Sequence, residues 1–200
     1  IKKLKLLFFV IMNPSINIFC IVCVSNIFKS YLKILKKCES CGHVVADYDP
    51  ESFSSRLIYD DNFFDKGAYF NYLGDQKCYE YNFTKRLNSI SKYCQQGSLL
   101  EIGSAYGFFL NLASKYFQTT GYEISPKAAE YARTHFKLNI KSDDFLTDHI
   151  PDESFDIVVM WDVIEHLPNP QDFIQKIYRV LKKNGILALT TGDINSFMAR

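Results

Sequence analysis

The chain has 200 residues, room for one good-sized domain and a small module, and its 48% apolar and 16% aromatic content is enough for a real core. With 23 basic against 22 acidic residues the net charge is +1. No lysine- or arginine-rich face stands out, so nucleic acid is not an implied partner. The four histidines show no metal-binding spacing.

Residues 1–11 place three lysines ahead of and within an apolar start that ends Leu6-Leu7-Phe8-Phe9-Val10-Ile11. They resemble the opening of a secretory signal, but no small-residue cleavage site follows. The run is also far shorter than the roughly 20 residues that span a bilayer. The chain does not begin with methionine, and Met12-Asn13-Pro14 offers a native start. Residues 1–11 are therefore expected to be an upstream or non-native segment. The expected protein is cytoplasmic and has no membrane span.

Residues 12–48 carry Cys20-Ile21-Val22-Cys23 and Cys38-Glu39-Ser40-Cys41, two Cys-x-x-Cys pairs with fourteen residues between them. Each pair can set two thiolates on one side of a tight turn, and two such turns give tetrahedral Zn²⁺ coordination by Cys20, Cys23, Cys38 and Cys41. Phe28 to Leu35 is long enough for a short β hairpin between them. Gly42 follows Cys41, where glycine most easily takes a left-handed turn. The first pair departs from that pattern, having Val24. Two disulfides or four buried thiols are the alternatives, and a cytosolic setting favours metal over disulfide. Four thiolates leave no open position, so the zinc would be structural.

Residues 49–96 form an aromatic-rich link and a helix. Tyr59, Phe63, Phe64, Tyr69, Phe70 and Tyr72 sit among charges, as a lid or as packing between module and domain. From Gln76 to Tyr93, Tyr79, Phe83, Leu87 and Ile90 recur as on an amphipathic helix. Cys78 and Cys94 are expected on this helix with no role.

From residue 97 the pattern alternates. A buried strand beginning at Ser98-Leu99-Leu100 leads into Glu101-Ile102-Gly103-Ser104-Ala105-Tyr106-Gly107. A helix follows, with Phe108, Phe109, Leu112, Ala113 and Tyr116 inward. A second strand ends at Glu123, twenty-two positions after Glu101. Strand, glycine turn, helix and an acid-tipped strand form the nucleotide-binding half of a doubly wound α/β fold, where the acid accepts hydrogen bonds from both ribose hydroxyls. A dinucleotide needs Gly-x-Gly-x-x-Gly against its pyrophosphate. Here Ala105 fills the middle position and Phe108 the third. Glu101 would repel pyrophosphate but suits an ammonium group. Taken singly, Gly103 and Gly107 read equally as tight-turn residues, and Glu123 as a capping acid.

A third short strand is expected near Leu138 to Ile140, ahead of Ser142-Asp143-Asp144-Phe145. A fourth runs through Phe155-Asp156-Ile157-Val158-Val159-Met160 into Trp161-Asp162-Val163-Ile164-Glu165-His166-Leu167. Ser125-Pro126 opens one helix, with Ala128, Ala129, Ala132 and Phe136 inward. Asn169-Pro170 opens another, with Phe173, Ile174, Ile177, Val180 and Leu181 inward, and Asn184-Gly185 is expected to stop it. A fifth strand is expected over Gly185 to Thr191.

Between about residues 97 and 195, these segments in this order resemble the class I S-adenosylmethionine-dependent methyltransferases. The resemblance implies a Rossmann-like, doubly wound, mostly parallel sheet. It implies a cofactor site of Glu101, Gly103, Ser104, Ala105 and Gly107 in the first motif and Glu123 at the ribose. Asp144 and Phe145 would lie at the adenine, with Asp144 meeting the exocyclic amine, and Trp161 and Asp162 beside the methionine moiety. His166 is the candidate catalytic base, because imidazole titrates near neutrality. Glu165 would orient it or help bind a metal, as similar pairs do in some quinone-modifying relatives. Both could instead only cap the following helix.

The cysteine segment in turn resembles the zinc-ribbon module found before some small-molecule methyltransferase domains, including sugar-modifying ones. The implied function is methyl transfer to a small-molecule acceptor: a sugar, a lipid or a quinone-like metabolite. The alternative is a non-catalytic cofactor-binding or interaction protein on the same scaffold. A nicotinamide oxidoreductase is disfavoured by the glycine spacing. The class normally adds a sixth and seventh strand, so residues 97–200 are expected to be an incomplete domain with an unpaired edge.

Overall fold

The computed structural model describes residues 20, 22–31, 35–46, 71–167 and 169–192. The readings for residues 1–11, and for Tyr59, Phe63, Phe64, Tyr69 and Phe70, lie outside them. The chain falls into two units. One comprises Ile1–Ser55 with Trp161–Ile174 and Thr190–Arg200; the other comprises Arg56–Met160 with Gln175–Leu189.

The amino-terminal part of the first unit is a three-stranded antiparallel sheet of β1 (Phe28–Ser30), β2 (Leu35–Cys38) and β3 (Val44–Ala46), in that order. The expected hairpin forms, with Phe28 opposite Cys38 and Ser30 opposite Lys36. Strand β2 runs on to Cys38, so the sheet itself delivers a thiol. Leu35 and Val44 make a small core, with Tyr31 packed on it.

The second unit opens with α1 (Gln76–Ile90), which buries Phe83, Leu87 and Ile90 as its periodicity predicts. It ends before Tyr93. Cys78 lies on it, but Cys94 lies beyond it, a correction to the expectation that both are helical.

Strand β4 (Gly97–Ile102), α2 (Phe108–Ala113), β5 (Phe117–Tyr122), α3 (Pro126–Phe136), β6 (Ile140–Lys141) and β7 (Phe155–Trp161) follow in order. Helix α4 (Pro170–Val180) and β8 (Leu181–Thr190) complete the described chain. The sheet order is β6-β5-β4-β7-β8, and the β4–β5, β4–β7 and β5–β6 pairs are parallel. This is a Rossmann-like doubly wound sheet, with strand order reversing beside β4, its first strand in chain order. Leu99, Leu100 and the run Ile157 to Met160 are fully buried, as expected of parallel strands covered on both faces. Each such side chain stabilises by about 1.5–3 kcal/mol over exposure.

At the amino end of this sheet, Asp156 Oδ2 accepts from Ser98 N and Oγ at 2.8 Å each and from Lys182 Nζ at 2.7 Å. Lys182 first, then the Ser98 backbone, holds the Asp156 carboxyl down to about 2. That bolt joins β4, β7 and β8 at the end of the sheet where β4 begins, leaving the opposite end for the glycine turn.

Three local expectations are corrected. Helix α2 stops at Ala113, so Tyr116 is exposed and Leu110, rather than Leu112, is fully buried with Phe108 and Phe109. The third strand begins at Ile140, past Leu138. Helix α4 ends at Val180 and the chain enters β8 at Leu181, before Asn184-Gly185. Asn184 takes φ +64° inside the strand, so the pair bends a strand rather than stopping a helix.

Candidate functional site

The turn after β4 is built from left-handed residues: Gly103 at φ +75°, Ala105 at +46° and Gly107 at +80°. The N–H groups of Gly103 and Ser104 both donate to the Tyr122 carbonyl, at 2.8 and 3.1 Å, which ties the turn to the end of β5. Gly107 N closes it on Ser104 O at 2.8 Å and caps α2. A Cβ on Gly107 would stand 2.7 Å from Leu138 Cδ1 and 2.8 Å from Ala132 Cβ, so glycine there is what lets α2 start against α3. Tyr106 is buried in the same turn, its ring 5.1 Å edge-on from that of Tyr131.

Glu101 and Glu123 are both buried carboxyls, but their hydrogen bonding differs. Glu123 Oε2 accepts from Ala105 N at 2.6 Å and Oε1 from Ser125 N at 2.8 Å. Burial raises its carboxyl, and those backbone donors pull the other way. A carboxylate has about four acceptor positions, so the backbone donors leave room for a ligand hydroxyl. Glu101 is 2% exposed, and its Oε2 is buried with no hydrogen-bond partner. Burial and then the Glu123 charge push its carboxyl well above the usual range, with Arg86 opposing. An ammonium donor would satisfy the orphaned oxygen; a pyrophosphate would add negative charge beside two acids. The residues fit a cationic, phosphate-free ligand.

Past β6, the stretch 142–150 is irregular and folds through a turn at 145–147. Asp144 is exposed, and its Oδ1 accepts from Leu146 N at 2.9 Å. Phe145 is buried, its ring edge-on to Tyr122 at 5.4 Å. Asp148 accepts from Lys141 Nζ at 2.7 Å and from the Tyr122 hydroxyl, and these two bonds hold its carboxyl at about 2. Burial and the same bond push the Tyr122 hydroxyl upward.

Residues Trp161–Ile174 belong to the first unit, with Thr190–Arg200. Trp161 is the last residue of β7. Asp162 follows at φ +56°, its N–H donating to Thr190 O at 3.0 Å. A side chain at such a backbone angle is strained, and strain of this kind clusters at ligand sites. Ile164–His166 is a single 3₁₀ turn in which Glu165 is buried, with Oε2 unpartnered, and His166 is exposed. The structure thus gives adjacent residues opposite environments.

Residues 100–189 match the family model described as a methyltransferase domain. That stretch is therefore similar to a methyltransferase domain, on a Rossmann-like sheet of the class I order. A ubiquinone biosynthesis O-methyltransferase of Glaesserella parasuis is 35% identical over 104 residues, which cover 46% of this chain and 44% of that protein. The chain thus spans less than half the length of that curated relative. A Methanococcus maripaludis structure assigned to the S-adenosyl-L-methionine-dependent methyltransferases shares the fold. It superposes with a TM-score of 0.57 at 20% identity, over 67% of this chain and 64% of its own. A SAM-dependent methyltransferase of Thermotoga maritima gives 0.54 at 26% identity, over 64% of this chain and 60% of its own. Among the described residues of the methyltransferase domain and its partner module, no helix is long and apolar enough to cross a membrane.

Ahead of the methyltransferase domain, the sulfur atoms of Cys20, Cys23, Cys38 and Cys41 all lie within 4.8 Å of one another. Cys20–Cys41 and Cys23–Cys38 are each 3.6 Å apart. That is far beyond a disulfide bond of about 2.05 Å. It is close to the edge of about 3.8 Å that a tetrahedron with Zn–S bonds of about 2.3 Å requires. All four are free thiols, so the two-disulfide alternative does not apply. Burial raises Cys20, and raises Cys41 to about 12. Burial opposes ionisation of Cys38 too, but the backbone N–H groups of Cys41 and Ser40 outweigh it and bring that thiol to about 6. The donor set fits zinc. Gly42 takes φ +78° as expected, and Val24 takes φ +62°, so the first knuckle adopts the same left-handed turn without glycine.

Two features go beyond the sequence reading, which takes Tyr72 as part of a lid or as packing between module and domain and does not single out Lys176. Tyr72, from the aromatic link, is buried, its ring 4.1 Å from Tyr79 and 5.5 Å from Phe108, which seats it against α1 and α2. Lys176 on α4 donates into the 142–150 turn. A lysine on an amphipathic helix carries no sequence signal for such a contact.

Proposed function

We propose that the protein transfers a methyl group from S-adenosylmethionine to a small-molecule acceptor, a sugar, a lipid or a quinone-like metabolite. The observation that carries this reading is the buried, unpartnered oxygen of Glu101 on the glycine turn beside the hydrogen-bonded Glu123. Glu101 would receive the ammonium of the methionine tail, and Glu123 the ribose hydroxyls. The turn of Gly103, Ser104, Ala105 and Gly107 would let the tail approach the backbone. Asp144 and Phe145 would meet the adenine, and Trp161 and Asp162 the methionine moiety. The bound cofactor supplies an activated sulfonium methyl for in-line displacement.

Holding the acceptor atom on that axis is worth roughly 7–11 kcal/mol of barrier. His166 would take the acceptor's proton where the acceptor is a hydroxyl or an acidic carbon, with Glu165 orienting it. The likeness to a relative named for ubiquinone biosynthesis supports a quinone-like acceptor within that range. Residues 12–48 would be a zinc-ribbon-like module whose four cysteines hold structural zinc, 49–96 a link and helix, and 97–200 the methyltransferase domain.

Calorimetry with S-adenosylhomocysteine and with NAD tests this. Heat with the first and none with the second is expected, and Glu123→Ala should weaken binding by at least tenfold. No binding of the nucleoside, or wild-type affinity in the variant, would remove the cofactor assignment.

A further inference from the structure

The turn within 142–150 is held by a single distant group as well as by its own backbone. From within, it closes on Asp144: Thr147 N and Asp148 N both donate to the Asp144 carbonyl, at 3.1 and 3.0 Å. From outside, Lys176 Nζ donates to the carbonyl of Leu146 at 3.0 Å and to that of Asp148. The same ammonium lies 5.1 Å over the ring of Phe145. One charge therefore touches three parts of the turn: the ring of Phe145, the carbonyl of Leu146, and the carbonyl of Asp148, whose side chain Tyr122 and Lys141 hold.

The chemistry suits lysine. Its ammonium is a compact point charge with three donors, so two carbonyls can be bonded while a ring face takes the remaining side. Bonds to a charged donor are about twice as strong as neutral ones. A turn with no strand or helix ladder takes its shape from such contacts, since its backbone groups must find partners one by one. The residues fixed in this way include both that the cofactor reading places at the adenine, Asp144 and Phe145.

We propose that Lys176 is a positioning residue for the purine end of the cofactor site, clamping the 144–148 turn and Phe145 so that the surface that receives the base is preformed. The proposal rests on the cofactor reading above. It deepens that reading by naming a residue outside the binding surface that sets how well adenine is recognised. Preformed surfaces bind more tightly because the ligand does not have to order them.

Two measurements on the full chain test it. The first is hydrogen exchange of the ligand-free protein. In Lys176→Met, amides in 144–149 should exchange at least tenfold faster, with β4 and β5 unchanged within twofold. The second is calorimetry with S-adenosylhomocysteine and its inosine analogue, which differs only at the purine edge. Lys176→Met should weaken the adenine ligand at least tenfold and narrow its preference over the analogue, and Lys176→Arg should recover most of both. If Lys176→Met does not fold, Lys176→Gln carries the same comparison.

Unchanged exchange with unchanged preference overturns the proposal. So does an equal loss for both ligands with faster exchange throughout, which is general destabilisation. If wild type binds neither ligand the cofactor reading itself fails. A localised exchange effect would then mark Lys176 as a purely structural clamp and overturn its purine role.

Discussion

Gly107→Ala is the substitution whose effect the structure specifies most closely. The new methyl would sit at φ +80°, 2.7 Å from Leu138 Cδ1 and 2.8 Å from Ala132 Cβ. A left-handed backbone costs an L-residue about 1–2 kcal/mol. Overpacking a filled core costs about 1–3 kcal/mol more. The Leu138 methyl can rotate aside, but Ala132 is fully buried and has no rotamer to change, so α3 itself must move. Together the loss is about 2–5 kcal/mol. At about 4 °C per kcal/mol for a domain near 100 residues, the midpoint of thermal unfolding should fall by about 8–20 °C. Gly192→Ala is the control, since its Cβ would meet nothing within 4 Å, and it should leave the midpoint within about 2 °C of wild type. Scanning calorimetry of the three proteins decides the matter. A fall of under about 3 °C for Gly107→Ala would refute the packing argument and return that glycine to a purely ligand-facing role.

Three further outcomes are expected. Glu101 holds its proton in the folded chain at pH values where the unfolded chain, with a carboxyl near 4.5, has released it. Its contribution is therefore full below about 4.5 and lost as pH rises through the raised folded value. Glu101→Gln should accordingly gain stability over wild type as pH is raised from 5 to 9. It should also bind S-adenosylhomocysteine roughly 10- to 150-fold more weakly, through loss of a charged hydrogen bond of about 1.5–3 kcal/mol. A constant stability difference across that range would contradict the buried-acid argument. Asp156 has the opposite sign: its carboxyl lies at about 2 against an ordinary 3.8, so its bolt holds above about 4 and fails as pH falls toward 2. Asp156→Asn should lose about 2 kcal/mol in urea unfolding at pH 7 and show a flatter acid limb than wild type, and an unchanged limb would sink the assignment. Val24 is a β-branched residue at φ +62° with 70% of its surface exposed, so Val24→Gly removes strain and loses little packing. Relief of about 1 kcal/mol should tighten zinc about fivefold in competition with a chromophoric chelator; weaker binding would show that the valine has a favourable role.

The parts of this fold that were legible in the sequence are those set by local chemistry. Ser125-Pro126 starts α3 because a serine oxygen can meet the Ala128 N–H (3.4 Å) and proline needs no donor at the first helical position. The paired cysteines predicted their own convergence, because a Cys-x-x-Cys turn has few ways to point its thiols. What was not legible depends on length or distance. Helix α2 has six residues, too few for a period to separate Leu110 from Leu112. Asn184-Gly185 carries the chemistry of a helix stop, yet the chain had already left α4 at Val180 and spends that left-handed residue inside a strand. The Lys176 clamp joins residues about thirty positions apart, and on the helix that lysine looks like any solvated charge.

The two buried acids show how one turn can carry opposite electrostatic roles. Glu123 lies where the backbone N–H groups of Ala105 and Ser125 converge, so its charge has donors before any ligand arrives. The bond from Ala105 N ties that left-handed residue to Glu123, so the acid also anchors the turn that a ligand would meet. Glu101 has no such donors on its second oxygen, and the Glu123 charge makes its ionisation harder. A ligand bearing both a diol and an ammonium resolves both states at once, with hydroxyls completing Glu123 and a cation neutralising Glu101. A ligand with the diol alone leaves Glu101 as it is. Adenosine should therefore bind far more weakly than S-adenosylhomocysteine, and only the amino-acid ligand should expel a proton as it binds, as heats in buffers of different ionisation enthalpy would reveal. Equal proton release by both ligands would mean that the orphaned carboxyl is not the group that meets the ammonium.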